Sequence, residues 1–310
     1  MIMEKIGIVI KVMGLYYTVL WNGEKFNCNL RGRIRKKSDN SNFSNPVAVG
    51  DNVRFEVEAD GSGIINEVLP RKNVFSRKEK GKYRKEDIIA SNLDLVIVIQ
   101  SFKKPRLNLR FVDRVLVRGV KEGIDVVLCI NKLDLADAEQ IPYVREYYRG
   151  AGIKIHMVSA LKGINLDALE REMKDRVSIL IGYSGVGKTS ILNRLFPELN
   201  LKVSTVSSKT GKGRHATSNV QMIVRNAMAI VDTPGLREFG LLDIETHMLE
   251  EYFPEFRQSS PECEYKPCTH DHEPNCAVKR DVDEGIISEG RYISYLNILY
   301  SLKEYYESMY

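Results

Sequence analysis

The sequence predicts a multidomain chain: an N-terminal β-barrel, a central α/β domain and a mainly helical C-terminal part. Three observations carry this. Short strand-like runs fill the first 70 residues, compact apolar runs alternate with helical spacings from about residue 90, and three cysteines with a histidine gather between residues 263 and 276. At 310 residues and 43% hydrophobic, the chain can bury two or three sizeable cores.

The first part reads as five strands: Ile6 to Ile10, Leu15 to Trp21, Lys25 to Leu30, Asp51 to Glu58 and Gly63 to Leu69, separated by Gly, Asn and Asp turns. Five short strands suggest a small barrel. The oligonucleotide-binding barrel (OB-fold) has five strands, and on periodicity alone another small barrel fits equally well. In the second part, Leu93 to Gln100, Ile124 to Ile130, Ile153 to Val158 and Val177 to Ile181 have the character of parallel strands covered on both faces. Phe111, Val112, Val115, Leu116 and Val120 recur between them at helical spacing, as do Leu166, Leu169 and Met173. The expected division is 1–70, 71–240 and 241–310.

No apolar run approaches the ~18–20 residues of a membrane helix, and the N-terminus lacks a signal-peptide pattern, so the expectation is a cytoplasmic protein with no membrane association. The formal charge of +5 is modest, but the basic residues cluster. Arg31, Arg33, Arg35, Lys36 and Lys37 run together, and Arg71 to Lys85 holds eight Lys or Arg against one acid, Glu79. Of the five cysteines, Cys28 and Cys129 fall in strand-like runs, which argues against a disulfide framework.

Gly182-Tyr183-Ser184-Gly185-Val186-Gly187-Lys188-Thr189 follows a predicted strand and opens a predicted helix, the context a phosphate-binding loop requires. Its glycines let backbone NH groups face phosphate. Lys188 would reach the β- and γ-phosphates, the Thr189 hydroxyl would ligate Mg²⁺, and Ser190 continues the loop into the helix. Asp232, ending the strand Met228 to Val231, stands where the magnesium-side carboxylate belongs, and Gly235 could bring its NH to a γ-phosphate. Asn131-Lys132-Leu133-Asp134 resembles a guanine-specificity motif. The Asp134 carboxylate can accept two hydrogen bonds from guanine that adenine does not offer. Lys132 would lie over the base, Asn131 would brace the loop, and Ser159-Ala160 resembles the companion loop that reads the guanine carbonyl. GTP or GDP is therefore the expected ligand.

The guanine-reading loops precede the phosphate loop, the reverse of the ordinary order, as a circular permutation of a P-loop GTPase domain would produce. The Gly-rich stretch from Ser204 to Ser218 reads as a first switch. Thr217 is its candidate ligand for Mg²⁺ and the γ-phosphate. Leu236 stands where signalling GTPases usually hold a water-orienting Gln, which leaves His215 as the nearest titratable candidate. Cys263, Cys268, His270 and Cys276 offer a full tetrahedral set for one structural Zn²⁺, with His272 an alternative fourth ligand.

Together these elements closely resemble the circularly permuted ribosome small-subunit-dependent GTPase A family over nearly the whole chain. Gly211-Lys212-Gly213-Arg214-His215, the run from Asp232 to Gly240 and the cluster from Cys263 to Val278 are the most specific parts. The resemblance implies an OB-fold barrel, late maturation of the small ribosomal subunit, and GTP hydrolysis stimulated by that subunit and coupled to release. It also implies a switch histidine at His215 and zinc ligands at Cys263, Cys268, His270 and Cys276. Ala216-Thr217-Ser218 departs from the family's consecutive threonines and leaves Thr217 and Ser218 open as the switch ligand. Expected partners are the small subunit with its rRNA, contacted by Arg31 to Lys37, and other assembly factors. The chain itself is expected to be a monomer.

Overall fold

A computed structural model describes residues 4–32, 34, 43, 45–78, 86–202, 220–225, 227–233, 241 and 244–308. The barrel strands are β1 (Lys5–Met13), β2 (Tyr16–Trp21), β3 (Glu24–Leu30), β4 (Asn52–Val57) and β5 (Gly63–Val68). Alternation of side chains puts Val9, Tyr17, Val19, Cys28, Val53, Phe55 and Ile65 inside. Asn22 and Gly23, both with positive φ, make the tight turn from β2 to β3. The ladder runs β1-β2-β3-β5-β4, and β4 pairs back onto β1, closing the barrel. All pairings are antiparallel except β3 with β5, which is parallel.

A hairpin that the sequence reading did not anticipate follows, β6 (Val74–Lys78) with β7 (Glu86–Ser91). Polar side chains lock it to its neighbours. Asp51 accepts both Arg71 nitrogens, at 2.7 and 2.8 Å, together with the Ser91 hydroxyl at 2.6 Å. The Asn45 amide exchanges two hydrogen bonds with the Ile88 backbone. On the other side Arg118, nearly fully buried, reaches Glu86 at 3.0 Å.

The α/β layer contains β8 (Leu95–Ser101), α1 (Leu109–Glu122), β9 (Asp125–Asn131), α2 (Gln140–Tyr147), β10 (Lys154–Met157), α3 (Leu166–Met173), β11 (Val177–Ile181), α4 (Lys188–Leu195), β12 (Gln221–Arg225) and β13 (Met228–Asp232). The order β10-β9-β8-β11-β13-β12 is parallel except for the edge strand β12. Every residue of β8 is buried, which is why its sequence is an apolar run without alternation. Helices cover both faces, giving two cores, one under α1 and one under α3 and α4. Barrel and layer share a continuous sheet because Lys11 of β1 pairs with Gln221 of β12.

The C-terminal part is less regular than its helical reading. It starts with 3₁₀ turns at Thr246–Tyr252, Pro254–Phe256 and Ser260–Glu262 and only then forms α5 (Ala277–Asp283) and α6 (Glu289–Glu307). Pro254 and Pro261 stand in the first two positions of the second and third turns, where each removes a backbone donor and restricts the residue before it. No helix among the described residues is long and apolar enough to cross a membrane.

Candidate nucleotide-binding and metal sites

Strand β11 lies between β8 and β13. From it the chain runs to β12 and β13 on one side, while β8, β9 and β10 were laid down earlier on the other. This is a topological switch point, and the crevice beyond the carboxyl ends of such strands is where ligands bind in open α/β sheets. The loop 182–189 leaves β11 into that crevice. Gly187 precedes α4 with φ 100°, and a Cβ built on it would lie 2.2 Å from Asn131 Nδ2. Gly182 approaches as closely, since its Cβ would lie 2.2 Å from the Ile99 carbonyl oxygen. Gly187→Ala is expected to destabilise the nucleotide-free chain by about 1–3 kcal/mol, read as a lower urea midpoint. An unchanged midpoint would mean that the two loops part freely.

The Lys188 ammonium is buried and donates to the carbonyls of Gly182 (2.7 Å) and Tyr183 (3.3 Å). Burial pushes its pKa down to about 8, against the pull of Asp232. The same burial raises the Asp232 carboxyl, which Lys188 and the Thr233 backbone NH partly offset. The next residue is pinned too, the Thr233 hydroxyl donating to the Leu180 carbonyl at 2.8 Å. Ser184, Thr189 and Ser190 are half-buried along the same loop.

Asn131 joins three loops. Its amide donates to the Val186 carbonyl at 3.0 Å, and its side-chain oxygen accepts the Ala160 NH at 3.0 Å. The ammonium of Lys132 donates to Gly185 O at 2.7 Å and also to Lys104 O. The Ser159 hydroxyl donates to Asp134 and accepts the Lys162 NH at 3.2 Å. Asn131, Lys132, Asp134, Ser159, Ala160 and residues 182–190 therefore surround one crevice, with Asp232 at its other side. His215, Thr217, Ser218 and Gly235 lie outside the described residues, as do Arg33, Arg35, Lys36 and Lys37.

Sequence reasoning missed Asn108. It caps α1 by accepting the Phe111 NH at 3.1 Å, and its amide donates to the Tyr183 hydroxyl at 3.1 Å, tying α1 to the phosphate loop. An Asn just ahead of an apolar-periodic run is a recognisable N-cap signal.

At the other site, ligand atoms of Cys263, Cys268, His270 and Cys276 all lie within 4.8 Å of one another, and all four residues are buried. Cys263 and Cys276 sulfurs are 3.8 Å apart, and His270 Nδ1 is 3.6 and 3.3 Å from them. A tetrahedron with Zn–S of ~2.3 Å has S–S edges of about 3.8 Å, so this set fits zinc. Burial pushes the Cys268 thiol up to about 12 and raises Cys276, so three thiolates here need a cation to offset them. His272, mostly exposed, is not in the cluster.

Glu250 was invisible in the sequence. Its carboxylate holds His270 Nε2 at 2.6 Å and accepts the Ser260 hydroxyl, leaving Nδ1 to face the sulfurs. Burial works against ionisation, but these two hydrogen bonds hold the Glu250 carboxyl below its ordinary range. Glu250→Ala is expected to weaken zinc binding ~10–100-fold, measured by competition with a chromophoric chelator. An unchanged affinity would show that packing alone orients His270.

The strand order and these loops define a P-loop GTPase domain in circularly permuted form. Its RsgA GTPase family model matches residues 68–242, and the RsgA N-terminal domain model matches residues 6–65. The chain belongs to the RsgA GTPase family and is a GTPase. It is 36% identical over 303 residues to the small ribosomal subunit biogenesis GTPase RsgA of Bacteroides fragilis, covering 96% of this chain and 97% of that one. Against the same protein of Halalkalibacterium halodurans it is 34% identical over 300 residues, with 96% and 97% covered. Among solved structures it is similar to the crystal structure of YjeQ from Thermotoga maritima, with TM-score 0.76, 31% identity, and 97% and 99% of the two chains covered. The crystal structure of YloQ, a circularly permuted GTPase, gives TM-score 0.71 and 27% identity, with 97% and 96% of the two chains covered.

Proposed function

We propose that the chain is a GTP-hydrolysing timer in biogenesis of the small ribosomal subunit. GTP favours docking on the maturing subunit, the docked subunit stimulates hydrolysis, and hydrolysis releases the protein. The observation that carries this reading is Asn131, which ties the phosphate loop to both guanine-reading loops in a chain similar over almost its full length to small ribosomal subunit biogenesis GTPases.

In this reading residues 182–190 cradle the phosphates, and Lys188 turns from the Gly182 carbonyl to the β- and γ-phosphates. Magnesium, held through Thr189 and Thr217 on the Asp232 side of the crevice, would neutralise charge on the phosphates. Asp134 accepts the guanine hydrogens, a backbone amide of the Ser159-Ala160 loop reads the carbonyl, Gly235 NH meets the γ-phosphate and His215 orients the water. Residues 1–70 form the RNA-binding barrel, with Arg31 to Lys37 on rRNA, and 71–240 the GTPase domain. The zinc-held part, 241–310, follows directly on the γ-phosphate sensor and carries nucleotide state to the ribosome. The protein acts in the cytoplasm as a monomer and meets other assembly factors on the subunit.

The test is GTP turnover by purified protein titrated separately with small and large ribosomal subunits. Stimulation of roughly 100-fold or more by the small subunit alone is expected, the scale of a completed GTPase site. Equal turnover with either subunit or none would remove the timer. Asp134→Asn is expected to cost about 2 kcal/mol of GTP affinity, roughly 30-fold, and to favour xanthosine triphosphate, whose added carbonyl can accept from the new amide. Unchanged GTP affinity in a fluorescent-nucleotide assay would take Asp134 out of the base pocket.

A further inference from the structure

The loop joining β8 to α1 touches both nucleotide loops through the Lys104 carbonyl and Asn108, but its cationic side chains have no part in the site as described. It carries Lys103, Lys104 and Arg106, and the first turn of α1 adds Arg110, four exposed cations within eight residues. Lys103 is paired with Asp137 at 2.7 Å. Among the described residues no acid pairs with Lys104, Arg106 or Arg110, so three cations face solvent together. The loop leaves the carboxyl end of β8, beside the carboxyl ends of β9 and β11, and so stands on the same rim of the sheet as the two nucleotide loops. Both its ends are fixed to that rim. The Lys104 carbonyl takes the Lys132 ammonium, and Asn108 reaches the Tyr183 hydroxyl at 3.1 Å.

We infer that residues 103–110 form an RNA-docking surface for the phosphodiester backbone, and that phosphate on Lys104, Arg106 and Arg110 strengthens the hold of Lys132, in the guanine loop, on the phosphate loop at Gly185. This rests on the ribosomal reading above. Three exposed cations on this loop and the helix start that follows it match closely spaced phosphates, and binding of this kind releases counterions. The coupling follows from charge. Lys132 is already disfavoured as an ammonium by burial, with the Lys104 charge adding to the effect and Asp134 opposing it. An anion on Lys104 offsets that repulsion, and by reciprocity whatever tightens guanine binding through Lys132 also tightens RNA binding. The nucleotide's own phosphates do not need these cations, because the backbone of residues 182–190 and Lys188 provide for them.

The experiment uses the full-length variant Lys104→Gln/Arg106→Gln/Arg110→Gln, which alters only exposed side chains and leaves the Lys104 carbonyl in place. Binding to purified small ribosomal subunits is measured with a non-hydrolysable GTP analogue across a salt series. The slope of log affinity against log salt is expected to fall by roughly 2–3, at ~0.7–0.9 per lost phosphate contact. Analogue affinity without subunits should stay within about twofold, and the tightening of analogue binding by saturating subunits should shrink towards none. An unchanged salt slope overturns the docking surface. Equal loss of analogue affinity without subunits also overturns it, by assigning the cations to the nucleotide. If the unaltered chain did not bind small subunits, the proposed function would fall and this inference with it. Binding by the unaltered chain with an unchanged slope in the variant removes the inference alone.

Discussion

Arg291→Met is expected to lower the free energy of unfolding by about 3–5 kcal/mol, with the C-terminal part detaching from the GTPase layer. Arg291 on α6 is buried and donates to Asp113 on α1 at 2.6 Å and to Glu255 at 2.6 Å. Burial alone would lower its pKa, but the two carboxylates raise it. Its guanidinium also sits 4.5 Å from the Phe253 ring centre, and Tyr147 donates to the second Asp113 oxygen at 2.7 Å. Methionine can fill the space but leaves two carboxylates buried without their cation, and that loss dominates. Arg291→Met/Asp113→Asn/Glu255→Gln removes the stranded charges and should recover much of the loss, as neutral substitutes for buried ion pairs often do. Urea unfolding followed by far-ultraviolet circular dichroism reads both. A single-variant loss below about 1 kcal/mol, the size of an exposed pair, would show that water reaches the cluster.

The same pair marks the limit of what the sequence discloses. Asp113 and Arg291 are 178 residues apart, and nothing local announces that a charge on each helix faces the other. The phosphate loop, the Asn131 to Asp134 motif and the cysteine cluster were legible because each packs its chemistry into a few consecutive residues. Strand β8 was legible because both of its faces are buried, and the barrel strands because they alternate. The β6–β7 hairpin was not, since Val74–Lys78 carries two basic residues and the run from 79 to 85 is charged rather than turn-like. Glu250 could not be told from any other surface acid, because its role depends on how Thr246–Tyr252 folds back over His270. The pairing of Lys11 with Gln221 likewise joins barrel and layer with no signature in either segment. Where the barrel's β1 meets β12, it touches the strand that leads into β13 and Asp232. The chain order therefore leaves the N-terminal barrel paired to the strand beside β13, and the C-terminal part following β13 in sequence, so both are attached next to Asp232.

Guanine-nucleotide affinity is expected to fall by about tenfold between pH 7 and pH 9, and Lys188 sets the window. In the nucleotide-free chain its pKa is pushed down to about 8, by burial first, with Asp232 pulling it back up. Phosphates bound against the ammonium would raise it well above that. Below pH 8 the lysine is already charged and binding takes up no proton. Above pH 8 binding must take one up, so affinity declines by about tenfold per pH unit. Folding has the opposite sign. Because the folded pKa lies below the ordinary 10.5, the unfolded chain holds the extra proton between about pH 8 and 10.5, and Lys188 makes the nucleotide-free chain more stable as pH rises through that window. Calorimetry in buffers of different ionisation enthalpy should record proton uptake near one per nucleotide at pH 9, and little at pH 7. Lys188→Arg, charged throughout, should flatten the alkaline fall. Lys188→Ala should cost ~10²–10³ in turnover, as for loss of one donor to developing charge. Asp232 limits the acid side: its carboxyl is raised by burial although Lys188 opposes the shift, so magnesium-dependent turnover should weaken at a higher pH than an ordinary aspartate would impose. A pH-independent affinity with no proton uptake at pH 9 would mean that the Lys188 ammonium stays protonated in the free crevice, and that the carbonyls of Gly182 and Tyr183 replace the water it has lost.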